Sequence, residues 1–315
     1  MSRILVLPTG GTICTAVQSG IRSIAGDAGL VIVSRFSGTH PDAGAAFTVA
    51  DDLGILSENL TVDNWNTIRR LLAKADGFDG VIVLHGTDTL AYTAAMLAVL
   101  RPCSVPVMLC SANRPPADPL SNADANFAAC VSCITAGIAP GVYAASQNAD
   151  GVLYLHQGAR LQSCRDAWGN FYSDTMQPLT ETLCIPAGAL PVIPGLRNAL
   201  AADVLCIMPH PGLDYSRIPL TGIRAVLHGV YHSGTVCTDA PPPFSIRMLA
   251  EQCRSRGVSL WIAPAAAQGE IYESTAHLAG QVQFVSGLTQ ETLFALLTAA
   301  EDPAEAVTQA GGIIT

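Results

Sequence analysis

The sequence predicts an α/β fold, with a larger N-terminal domain built on a parallel sheet and a smaller C-terminal α/β domain. Three observations carry that expectation. Aliphatic runs such as Ile4-Leu5-Val6-Leu7 and Val81-Ile82-Val83-Leu84 stop at glycine-bearing turns, as strands buried on both faces do. Such runs alternate with segments of helical spacing through most of the chain. Half of the residues are hydrophobic and only 13% are charged, a composition suited to a sheet covered on both sides.

In chain order, strands are predicted at about 3–7, 80–84, 105–110, 141–145 and 152–156. Helical spacing runs over 64–75, with Thr61 or Asp63 as the cap, then over 90–100 and 121–136. From Pro178 to about Ala202 the periodicity fails. Prolines 178, 186, 191 and 194 with glycines 188 and 195 read as a linker. Alternation then resumes, with strands at 203–208, 222–229, 258–263 and 282–285 and helices at 244–256 and 289–300. The expected division is a domain over 1–178, a linker over 179–202 and a second domain over 203–315, with no internal repeat.

Composition excludes several classes. At 315 residues the chain can hold two domains with proper cores. No apolar stretch approaches the roughly 18 residues that span a bilayer. The first strand begins within five residues of Met1, so no signal segment is expected and the cytoplasm is the default location. A net charge of −9 opposes nucleic acid as a partner, because phosphate contacts need clustered basic groups. Ten cysteines are scattered, and residues such as Cys110 and Cys206 sit in apolar runs where they read as small buried hydrophobes. Cys130-Val131-Ser132-Cys133 has redox spacing but falls inside a predicted helix, and no second Cys/His pair completes a metal site. Neither a metal nor a cofactor is predicted.

Two threonine-bearing motifs hang on the ends of the first two aliphatic runs: Thr9-Gly10-Gly11-Thr12-Ile13 and His85-Gly86-Thr87-Asp88-Thr89. In open parallel sheets ligands sit outside the carboxyl ends of the strands, so both motifs should face one crevice. Gly10 and Gly11 let backbone approach a ligand closely, and a threonine hydroxyl beside such amides can act as a nucleophile. Taken alone, the first motif is better read as a phosphate-binding or plain strand-to-helix turn. Asp88 would bind a cation such as an α-ammonium group, or it or Thr87 would simply cap the following helix. The pair of motifs together favours a shared site.

The paired motifs resemble the bacterial-type L-asparaginases and glutaminase-asparaginases. Leu56-Ser57-Glu58-Asn59-Leu60-Thr61 is similar to that family's substrate-binding turn. Cys110-Ser111-Ala112-Asn113-Arg114-Pro115, with Asp124 and Asn126 downstream, is similar to its fourth-strand loop and following helix, and Met208-Pro209-His210-Pro211-Gly212 to the turn opening its second domain. The resemblance implies an amidohydrolase in which Thr12 attacks a side-chain amide and Thr87 assists. It implies that Ser57 holds the α-carboxylate, Glu58 and Asp88 hold the α-ammonium, and Gly11, Gly86 and the Ala112 backbone line the site. The substrate is then a small amino-acid amide, and the assembly a homodimer or homotetramer. The Ser57-Glu58 pair resembles members that also accept glutamine.

The chain departs from that pattern at three places. The family has a lysine near residue 165, where this chain reads Arg160-Leu161-Gln162-Ser163-Cys164-Arg165-Asp166-Ala167-Trp168, with Trp168 at the lysine position and Lys74 its sole lysine. Arg165 supplies charge but is no base. The segment after Thr12 lacks the family's lid tyrosine, and Tyr231-His232-Ser233-Gly234-Thr235 replaces its usual glycine and asparagine. His232 is a candidate replacement base, though a lone histidine is more often structural, and Asp88 acting through Thr87 or a water is another. The competing readings are an amino-acid sensor of the same fold and a phosphate-binding α/β protein. The second is opposed by Glu58 and Asp88, which would repel phosphate.

Overall fold

The computed structural model describes residues 1–24, 26–164, 166, 169–180, 189–265 and 272–315. The chain divides into two compact units, Met1–Ala189 and Leu190–Thr315.

The first unit is built on a seven-stranded sheet. Its strands in chain order are β1 (Ser2–Pro8), β4 (Ala45–Val49), β5 (Gly80–Leu84), β6 (Val107–Cys110), β7 (Val142–Gln147), β8 (Leu153–Gln157) and β9 (Gln177–Pro178). They stand in the order β4-β1-β5-β6-β7-β8-β9, parallel from β4 to β7 and antiparallel at β8 and β9. A hairpin of β2 (Thr15–Gln18) and β3 (Ile21–Ile24) follows β1. Helices α1 (Ala28–Thr39), α2 (Val62–Leu72), α3 (Leu90–Leu100) and α4 (Ala123–Thr135) provide the crossovers.

Both faces of the central strands β5, β6 and β7 are buried, as their aliphatic residues require. Alternate residues Ile4, Val6, Ile82, Leu84, Met108 and Cys110 join one core with Ile32 and Phe36 of α1 and Phe127 of α4. Their neighbours Leu7, Val81, Val83, Val107 and Leu109 are equally buried. Helix α3 is apolar along its whole length and every residue but Tyr92 is buried, which explains its lack of an amphipathic stripe. Thr61 caps α2 in a reciprocal capping box with Asn64.

The second unit carries five strands: β10 (Val204–Ile207), β11 (Ala225–His228), β12 (Ser259–Ile262), β13 (Gln283–Ser286) and the antiparallel β14 (Ile313–Ile314). They lie side by side in chain order. Helices α5 (Ile246–Arg256), α6 (Glu273–Ala276), α7 (Gln290–Ala299) and α8 (Pro303–Gln309) accompany them. Part of the proline-rich stretch has a definite place in this unit: Leu196 bridges Ala300, and the Arg197 N–H donates to Ala299 O at 2.7 Å. The stretch 181–188 lies outside the described residues. Cys206 corrects one expectation. It is exposed, because β10 is an edge strand and its cover is incomplete, whereas Cys110 is buried as predicted.

Three buried histidines are kept neutral by their surroundings. Burial pushes His85, His156 and His228 each down to about 4; the Gly86 carbonyl and Asp88 partly oppose it at His85, and the Gly229 carbonyl at His228. At His85, Nδ1–H donates to Gly86 O at 2.8 Å, so Nε2 accepts from Thr93, which in turn accepts from Trp65 Nε1–H. His228 repeats the pattern with Gly229 O and the Tyr215 hydroxyl. A histidine depressed in the fold stabilises it fully above its unfolded pKa, and that stability is lost as pH falls toward the folded value. Denaturant unfolding should therefore show stability declining from about pH 6.5 down to about pH 4, by up to roughly 1.4 kcal/mol per pH unit for each proton taken up. Stability that held constant or rose over that window would contradict the assignment.

Candidate active site

The site forms where the carboxyl ends of β1, β5 and β6 meet the segment after β4. That segment keeps pairing beyond the regular strand: Leu53 N–H donates to Pro8 O, Ile55 N–H to Thr9 O, and Gly11 N–H to Ile55 O at 3.2 Å. The Gly11 amide is thus committed to Ile55, and its contribution is close approach rather than donation. Gly10 and Gly11 hold φ of 129° and 76°, a region that disfavours side chains. A β-carbon on Gly10 would lie 1.9 Å from Ile55 O, and one on Gly11 would lie 2.1 Å from Gly86 Cα.

The two threonine motifs therefore touch through bare backbone, Gly11 against Gly86. Ser57 also packs on Gly86: an added β-carbon there would lie 2.3 Å from Ser57 Oγ and 3.0 Å from Gly11 Cα. Ser57 is buried in a one-turn 3₁₀ helix (Ser57–Asn59); its hydroxyl donates to Asp88 Oδ2 at 3.2 Å, and its carbonyl accepts from Thr89 Oγ1 at 2.9 Å. Thr12 opens another such turn (Thr12–Cys14) and is half-buried, and so is Thr87. Glu58 and Asp88 are exposed.

This geometry speaks against one of the two roles open to Asp88, the helix cap. The N-cap of α3 is Thr89, so neither Thr87 nor Asp88 caps the helix. The Asp88 carboxylate faces Ser57 instead. Predicted residues Gly11, Thr12, Ser57, Gly86, Thr87 and Asp88 are thus gathered on three adjoining turns. Ala112 is buried at the end of β6. Its loop is held by asparagines: Asn126 Nδ2–H donates to Ser111 O at 2.9 Å, and Asn113 N–H donates to Asn122 Oδ1 at 2.9 Å. Asp124, by contrast, pairs on the surface with Arg35.

The proton-transfer candidates stand differently. Lys74 is exposed on the connection from α2 into the N-terminal end of β5, the opposite end of that strand from Thr87. His232 is exposed in a turn of the second unit closed by Tyr231 N–H to Thr235 O at 2.9 Å. Arg165 and Trp168 lie outside the described residues. Their neighbour Gly169 does approach the site: a β-carbon there would sit 3.9 Å from Thr87 Cγ2 and 3.7 Å from Asn113 Cβ. Among the described residues, no group of His, Cys, Asp and Glu could hold a metal, and no helix is long and apolar enough to cross a membrane.

Sequence reasoning missed Thr9, Asn122 and Asn148. Thr9 Oγ1 donates to Leu84 O at 2.7 Å and ties the ends of β1 and β5 together. The signal available was a polar residue directly following a buried strand, where a hydroxyl buried among aliphatic neighbours must find a backbone partner.

Fold and site together define an α/β protein with two threonine-bearing strand ends and an acidic, serine-lined cleft. Comparison with known proteins gives the family. The chain belongs to the asparaginase family, whose N-terminal domain model matches residues 3–183. Curated relatives include the L-asparaginase of Thermococcus kodakarensis, 33% identical over 146 residues, covering 45% of this chain and 43% of the relative. A glutamyl-tRNA(Gln) amidotransferase subunit from Methanococcus maripaludis is 30% identical over 208 residues, covering 58% of this chain and 44% of the relative. The matches thus span less than half the length of these relatives. Among solved structures, the thermostable L-asparaginase from Thermococcus kodakarensis superposes with a TM-score of 0.72 at 23% identity, over 98% of this chain and 96% of that one. L-asparaginase I from Vibrio cholerae gives 0.72 at 22% over the same shares. These structures establish the shared two-unit α/β fold.

Gly11 and Gly20 share nearly the same φ, 76° and 79°, but an added methyl meets nothing within 4 Å at Gly20. Gly20→Ala should cost only the backbone strain of a positive φ, about 1–2 kcal/mol, whereas Gly11, with ψ of −177°, is in a region that essentially only glycine adopts. Gly11→Ala should cost clearly more, because two stretches of backbone must separate. A thermal melt showing equal losses for the two variants would contradict the close approach.

Proposed function

We propose that the chain is an amidohydrolase that releases ammonia from L-asparagine, with glutamine as a second substrate, through an acyl-enzyme on Thr12. The observation that carries this reading is the Gly11–Gly86 contact, which sets Thr12 and Thr87 on adjoining strand ends beside the Ser57–Asp88 pair. The Thr12 hydroxyl gives up its proton as its oxygen bonds to the amide carbon. The carbonyl π pair moves onto oxygen, the C–N bond then breaks, and nitrogen takes a proton and leaves as ammonia. Water adds to the resulting ester, Thr12 recovers its proton, and the acid is released.

In this reading Ser57 holds the substrate carboxylate, Glu58 and Asp88 hold its ammonium, and the Ala112 backbone contacts the amide. Thr87 orients the reacting carbonyl or the water, and Asp88, through Thr87 or a water, moves the proton. The family membership and the L-asparaginase relatives support amide hydrolysis. Relatives named as glutamyl-tRNA(Gln) amidotransferase subunits support glutamine as the second substrate. A homodimer or homotetramer located in the cytoplasm completes the proposal.

One observation favours a second reading, an amino-acid sensor that binds through Ser57, Glu58 and Asp88 without turnover: the chain's sole lysine stands at the far end of β5. Ammonia release separates the two. Wild type should release ammonia from asparagine, and Thr12→Ala should lose roughly 10³-fold or more of that rate. Asp88→Asn should lower turnover at saturating substrate by about 10²–10⁴-fold. Saturable asparagine binding by calorimetry with no ammonia release would select the sensor. Unchanged turnover in Asp88→Asn would remove it as the proton carrier.

A further inference from the structure

Between β8 and β9 the chain makes an excursion whose described residues meet the site. Gly169 approaches Thr87 and Asn113. The Cys164 thiol donates to Asn170 O at 3.1 Å, and burial, then Asp166 and Asp88, push it up to about 12.

The excursion has a built anchor at its returning limb. Asn148 ends the β7 edge in a tight turn, where its N–H donates to Val152 O and its carbonyl accepts from Gly151 N–H. Its side chain is only 8% exposed and makes two hydrogen bonds to one residue: Nδ2–H donates to Phe171 O at 2.9 Å, and Oδ1 accepts from Phe171 N–H at 3.0 Å. The carboxamide thus substitutes for a neighbouring strand, satisfying both main-chain polar groups of a buried residue. Next to it, Ala149 N–H donates to Asn170 Oδ1 at 2.7 Å, and Gln162 N–H donates to Tyr172 O at 2.9 Å across the neck of the excursion. Ser173 contacts His156 Nδ1 at 2.8 Å below it.

We infer that Asn148 is a positioning residue: by clamping Phe171 it holds the returning limb, Gly169 to Tyr172, and Cys164 bonded to it, as a fixed wall against Thr87 and Asn113. A wall loosened at Phe171 shifts the surface against which the substrate's reacting end is oriented. The catalytic half of the inference rests on the amidohydrolase reading. The wall itself does not.

Two readouts on the full chain test it. The first is the rate at which N-ethylmaleimide labels Cys164, followed by peptide mass spectrometry, with buried Cys14 and Cys130 as references. In Asn148→Ala, Cys164 should label at least about 10-fold faster while both references stay protected, because opening is local. The second is ammonia release, where kcat should fall about 10-fold with KM changed far less, since orientation rather than binding is lost. Asn148→Asp guards against misfolding of the alanine variant. Its carboxyl, protonated, can still donate to Phe171 O, so relative to wild type at the same pH it should protect Cys164 near about pH 5.5 and expose it near about pH 8.5. Cys164 labelling unchanged in both variants, or rising in step with Cys14 and Cys130, would overturn the wall. If wild type releases no ammonia, the catalytic half falls with the amidohydrolase reading, and the labelling still decides the wall.

Discussion

Everything in the site hangs on one steric fact: two peptide segments, at Gly11 and Gly86, touch without side chains between them. A single methyl at either position would force the ends of β1 and β5 apart or drive Gly86 into Ser57. Because backbone cannot step aside as a side chain can, the contact fixes the relative height of Thr12 and Thr87. It also explains why Ser57, more than thirty residues from Asp88, meets it at hydrogen-bond distance. The pairing of Thr9, Gly11 and Ile55 beyond the regular end of β4 supplies the lateral restraint. Chemistry here follows from packing, since the turns could not otherwise approach.

The electrostatic character of the cleft is the second constraint. Asp88 and Glu58 are exposed carboxylates on adjoining turns. Such a cleft favours a cationic group and repels anions, which agrees with an α-ammonium and opposes a phosphate. His85, although part of the second motif, is kept neutral in the core and spends both ring nitrogens on the fold. Its role is to hold the Gly86 carbonyl and, through Thr93 and Trp65, to tie β5 to α2 and α3.

Strands were legible wherever both faces are buried, since continuous aliphatic runs such as Val81–Leu84 admit few other states. Helix α1 was not, for a physical reason. Its buried residues Ala28, Gly29, Ile32 and Phe36 keep helical spacing, but Leu30 and Val31 are exposed and erase the amphipathic contrast. The exposed β2–β3 hairpin and the two-residue β14 carry too little pattern to announce themselves. That the two glycine-bearing motifs come together could be read directly from their places at strand ends. Asn122 and Asn148 could not, because their partners stand 9 and 23 residues away and exist only in the fold. The cap of α3 shows the same limit: Thr87 and Asp88 are as plausible as Thr89 as letters, and only the folded start of the helix places the cap at Thr89.

The most direct test of Thr12 as the attacking group is covalent. Acid-quenched enzyme taken during asparagine turnover would be digested and searched by mass spectrometry for an aspartyl ester. The adduct is expected on the peptide bearing Thr12 and absent from the one bearing Thr87 and Asp88. An adduct on Thr87, or ammonia release with no ester on either peptide under conditions that preserve esters, would contradict that role.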